Sequence, residues 1–133
     1  MRRLHAAGHA DLRTSHGYVV QHVVEGPRPV GEIATRMGIT QQAVSKTVGE
    51  LVGIGYLERT TDPADARVRL VGLSARGRTA VTATRRIRDE VQSELAAVLG
   101  EERTAALHET ALAALEWAGG GDTMRTRQVP EST

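Results

Sequence analysis

The apolar period of this chain changes twice, and that change limits the fold more than any other feature. Up to Gly55 apolar residues recur at spacings of three and four, the period of a helix face; over residues 56–73 they alternate with polar ones around a turn-rich stretch, the period of short strands; from Ser74 the helical period returns. The order is therefore helices, one hairpin, helices. In the first part, Val19/Val23 and Val20/Val24 are i,i+4 pairs that predict a helix over residues 12–25, ended by Gly26, Pro27 and Pro29. Val30, Ile33, Ala34 and Met37 give a second, two-turn helix, with Gly38 placed for a left-handed C-cap.

Thr40 is an acceptable N-cap for a third helix over 41–53, although Ala43 supplies no capping box. Its apolar stripe is Val44, Val48, Leu51 and Val52; Gln41, Gln42, Ser45, Lys46 and Gly49 fall on the opposite side. Gly49 and Gly53 either admit another backbone or reflect composition that packing tolerates, since each costs about 1 kcal/mol against Ala. Two strands, residues 56–60 and 67–73, flank a polar loop. Ser74 can cap a helix over 75–99, about 37 Å long, whose stripe is Ile87, Val91, Leu95, Val98 and Leu99. Gly100 interrupts it, and a last helix over 101–118 is expected to bury Leu107, Ala111, Leu112 and Leu115. Residues 119–133 read as a disordered tail.

At 133 residues the chain is about one domain. It has three aromatic residues (Tyr18, Tyr56, Trp117) and no Phe, so the core is aliphatic and an aromatic-lined cleft is excluded. The absence of Cys removes disulfide scaffolds, zinc ribbons, iron-sulfur ligation and thiol chemistry. No apolar run reaches membrane-spanning length and no signal-peptide core follows Met1, which makes no membrane and a cytoplasmic location the expectation. Phosphate-binding loops, nucleophile elbows and HExxH are missing, so the chain does not read as an enzyme. His5 and His9, at i,i+4 with His16, His22 and Asp11 nearby, are the only residues that raise a metal site; surface or capping roles are the simpler reading, and neither metal nor cofactor is expected.

Charge is uneven. Residues 28–78 carry eight Lys or Arg against five acids, whereas residues 79–133 carry six against nine. The basic middle holds a short helix, the turn Gly38-Ile39-Thr40, a polar-faced helix and a basic hairpin, which is the sequence form of a winged helix-turn-helix. Such a turn keeps Val44, Val48 and Leu51 in the core while Gln41, Gln42, Ser45 and Lys46 are free to enter a major groove about 12 Å wide. Gln suits adenine, Ser is adaptable, and Lys reaches guanine or a phosphate.

Val30-Gly31-Glu32-Ile33-Ala34 with Met37-Gly38-Ile39, the run from Gln42 to Val48, Leu51 with Gly55-Tyr56-Leu57 and Arg59, Asp62-Pro63 with Asp65 and Arg67, and Val71, Leu73, Ser74 and Gly77 together resemble the multiple antibiotic resistance regulator (MarR) family of bacterial transcription regulators over residues 30–77. The resemblance implies a mainly α fold with a small β-hairpin wing, a winged helix-turn-helix flanked by dimerisation helices. It implies a homodimer on double-stranded DNA with a near-palindromic operator, acting as a repressor. Thr40, Gln41, Gln42, Ser45 and Lys46 would meet the major groove, Arg67 the minor groove with Asp65 pairing its guanidinium, and Arg59 and Arg69 the phosphates. A small-molecule effector would lie near His16, Tyr18 and Met37. The chain departs from the family in Ser74, where Thr is commoner, and in having only about ten residues where a full N-terminal helix is usual. The resulting division is 1–27 a shortened dimerisation region, 28–77 DNA-binding, 78–118 C-terminal dimerisation helices with Trp117 as an anchor, and 119–133 tail; Arg85, Arg86 and Arg88 are expected to be solvated. The alternative is a dimeric winged-helix adaptor that binds protein and not specific DNA.

Overall fold

The computed structural model describes residues 1–119, which form helices α1 (Arg2–Ala6), α2 (Thr14–Val20), α3 (Val30–Met37), α4 (Gln41–Gly53), α5 (Ala75–Leu99) and α6 (Glu101–Trp117), a 3-10 turn (Gln21–Val23), and strands β1 (Arg28–Pro29), β2 (Leu57–Thr61) and β3 (Arg69–Leu73). The expected tail, past Gly119, lies outside the described residues. No helix among the described residues is long and apolar enough to cross a membrane. The chain divides into two compact units at Thr84 and Arg85, within α5.

In the first unit α4 is the central helix. Val44, Val48 and Leu51 are fully buried together with Ile33 of α3, Val19 of α2, Val23, Tyr56 and Val71. The sheet is antiparallel in the order β1-β3-β2, with Leu57 opposite Leu73, Thr61 opposite Arg69, and Arg28 opposite Val71. β1 was not expected: two residues carry no period, and only pairing with β3 makes them a strand. β2 lies one residue later than expected, and β3 begins two residues later because the 62–68 loop closes on itself through Asp62 N–H to Val68 O (3.0 Å).

The helix expected over 12–25 is shorter. Arg13 is extended and serves as N-cap, Leu12 leaves the helix to enter the core, and the last turn tightens to 3-10 geometry. A short α1 precedes it, tied back where His5 Nε2 donates to Leu12 O (2.9 Å). Ser74 caps α5 as expected, its hydroxyl accepting from Gly77 N–H (3.0 Å). Gly77 itself has no room for a side chain, since a Cβ there would stand 2.1 Å from the Tyr56 carbonyl oxygen.

In the second unit the described residues include none that is buried. This corrects the expectation for α6: Leu107 and Leu112 are 51% and 44% exposed, Ala111 is exposed and Leu115 is half-buried. The apolar stripe is present, but none of the described residues buries it. Arg85, Arg86 and Arg88 are exposed, as expected of a solvated face.

Candidate nucleic-acid interface

The α3–α4 turn is built from three local signals. Gly38 adopts φ +66°, its N–H reaching Thr35 O (3.2 Å) while Ile39 N–H reaches Ala34 O (3.2 Å), a Schellman ending that a residue with a Cβ would strain. Thr40 follows in extended geometry, and its hydroxyl accepts from Ala43 N–H (3.2 Å). The Thr40 side chain is thus engaged in starting α4. Beyond it Gln41, Gln42 and Lys46 are exposed and Ser45 is half-buried. Gln41 leans toward α3, with its Oε1 3.7 Å from where a Cβ on Gly31 would stand. Gly49 and Gly53 face open space, so no backbone of this chain approaches them.

The wing is held by its own carboxylates. Asp62 accepts from Ala64 N–H (2.8 Å), and Asp65 accepts from Arg67 N–H (3.0 Å) while lying 3.6 Å from its guanidinium Nε. Asp65 therefore fixes the backbone of Arg67 more closely than its side chain, which is 95% exposed. Arg59 and Thr61 lie two residues apart on one strand, and Thr61 pairs with Arg69, so Arg59 and Arg69 share a sheet face. The Arg69 guanidinium donates to Thr61 Oγ1 (3.3 Å).

His5, His9 and His16 are internal fasteners. α1 ends at Ala6, so His5 and His9 do not share a helix face. Buried His9 bonds the Tyr56 hydroxyl through Nδ1 (2.9 Å), and that hydroxyl donates to Asp11 Oδ1 (2.6 Å). Arg76 completes the cluster, 3.0 Å from Asp11 Oδ2 and 4.3 Å over the Tyr56 ring. Burial and the bond to Asp11 push the Tyr56 hydroxyl up to about 12; the Tyr56 bond first, and then Arg76, hold the Asp11 carboxyl below its ordinary value. These partners are 45 to 65 residues apart in sequence, and no local signal announces them. Among the described residues no group of three or more His, Cys, Asp or Glu is placed to hold a metal ion.

His16 is buried at the start of α2, where its Nδ1 accepts from Arg13 N–H (3.2 Å). The Arg13 side chain meets His16 Nε2 through its Nε (3.3 Å), and the same guanidinium pairs with Glu50, whose Oε2 lies 3.5 Å from Nε2. Of the residues expected near an effector, His16 is committed to this cap, Met37 lies in the core and Tyr18 is half-buried.

Residues 10–68 match the family model described as MarR family. An uncharacterized HTH-type transcriptional regulator of Mycobacterium bovis is 32% identical over 75 residues, 56% of this chain; the match spans about half of that relative, 52%. The transcriptional regulator Tm0710 of Thermotoga maritima superposes with a TM-score of 0.62 at 25% identity, covering 81% of this chain and 76% of that one. MepR of S. aureus in its complex with DNA gives 0.69 at 22% identity over 81% and 82%, a likeness of fold.

Proposed function

We propose that the chain, whose residues 10–68 match the MarR family model, is a DNA-binding transcription regulator of that family, a homodimeric repressor acting in the cytoplasm on a near-palindromic operator. Residues 28–77 read the operator and residues 78–118 pair the two copies. α4 enters the major groove, where Gln41, Gln42, Ser45 and Lys46 meet base edges or phosphates and Thr40 sets the helix start. The wing follows the minor groove: Arg67 enters it, Asp65 holds the loop, and Arg59 with Arg69 meets phosphates. Repression follows from occupancy of the promoter.

One observation carries this reading. α4 is anchored by three fully buried residues while its opposite face is polar and largely exposed, and the same unit presents the exposed Arg67 side chain at the tip of a hairpin with two further arginines on one face. A packing helix would need no such face, and a solvated loop no such aligned cations.

The test is binding to the duplex upstream of its own coding region, across a salt series, beside Arg67→Ala and an unrelated duplex. Specific binding whose log K falls steeply with log salt, weakened about tenfold or more by Arg67→Ala, is expected. No binding to either duplex at low salt would sink the reading and favour the adaptor.

A further inference from the structure

α4 contains one cation and one carboxylate, Lys46 and Glu50, four residues apart. Opposite charges at that spacing meet along a helix face. Here they do not: Glu50 is taken by the Arg13 guanidinium, which also bonds buried His16, and Lys46 has no carboxylate partner among the described residues. Arg13 is the residue that caps α2, outside the helix-turn-helix. Lys46 is also the only lysine in the chain, so nothing else on α4 can substitute for it.

We propose that Arg13 is a positioning residue for DNA binding, which draws the Glu50 carboxylate away from Lys46 and so keeps that lysine free for DNA. The inference rests on the reading of Lys46 as DNA-facing, and it adds a residue that the helix-turn-helix pattern does not contain. Arg13 acts through Glu50. His16 holds Arg13 in place: its Nδ1 meets the Arg13 backbone N–H (3.2 Å) and its Nε2 the guanidinium Nε (3.3 Å), so one buried ring fixes both ends of the residue that takes Glu50. Loss of Arg13 leaves an exposed carboxylate one turn from Lys46, where it both pairs with the lysine and repels phosphate.

The experiment is a double-mutant cycle on a duplex that the wild-type protein enriches from a random-sequence pool, with Lys46→Ala as control and a thermal melt of each variant. Arg13→Ala is expected to weaken binding about threefold to fivefold, the range of an exposed charge interaction. In the Glu50→Gln background, where no carboxylate remains to be held, the same substitution is expected to change affinity less than twofold. A loss that persists in that background would show Arg13 touching DNA itself and overturn the proposal. An unchanged affinity for Arg13→Ala would overturn it too. If Lys46→Ala leaves binding unaltered, the reading of α4 fails and this inference with it; if Lys46→Ala weakens binding while the cycle shows no coupling, only this inference fails.

Discussion

Val48 and Leu51 in α4 are fully buried, whereas Leu107 and Trp117 in α6 are 51% and 91% exposed, although both helices carry apolar residues at helical spacing. In residues 1–84 the stripe of α4 is covered by α2, α3 and the sheet root at Tyr56 and Leu57; in residues 85–119 the corresponding stripes are not buried among the described residues. Spacing announces which side of a helix is apolar. It does not announce whether the cover belongs to the same chain. The first unit closes its own core, and the described residues of the second leave their apolar stripes at the surface.

The largest effect that would break this contrast is in the first unit. Leu51→Ala removes a fully buried side chain from the centre of the core and should cost about 2–5 kcal/mol in urea unfolding. A loss near zero would mean that the unit is not held by this cluster. Next comes Trp117→Ala in α6, which should leave urea unfolding of residues 1–84 nearly unchanged but weaken self-association by about tenfold in sedimentation experiments, the size expected of a buried aromatic anchor. Weaker folding with unaltered association would show that α6 packs within its own chain.

The smallest effect sharpens the contrast through pH. Tyr56 is held protonated up to about 12 in the folded chain but ionises near its ordinary value of 10 when unfolded. Stability from this group is therefore intact below pH 10 and is lost as pH rises from there through 12. At the acid end Asp11, held below its ordinary 3.8, contributes above that value and loses its contribution as pH falls through the folded value. Tyrosinate absorbance should show a late-titrating step that Tyr56→Phe removes; its persistence in that variant would assign the step elsewhere.

Much of the first unit could be read from residues alone. The limits of α4, the left-handed Gly38, the Thr40 cap and the Ser74 cap are local events, each decided within four residues. β1 escaped because a strand of two residues exists only through its partner. The first long helix was overextended because Val20 and Val24 continue the apolar period while the backbone tightens, and the period does not see backbone geometry. For the interface, the polar face of α4 and the wing carboxylates were legible, since both are written in short runs. Arg13 with Glu50, and His9 with Tyr56 and Asp11, were not, because their partners meet only after folding.

The single tryptophan gives the two units different optical voices. Both tyrosines lie in residues 1–84 and Trp117 in α6, so indole fluorescence is silent about the core around α4 and speaks only for the far helix. At 91% exposure its emission in an isolated chain is that of a water-bathed indole, open to iodide quenching. A blue shift with loss of quenching on concentrating the protein would report cover arriving over α6, in one cuvette and without a label.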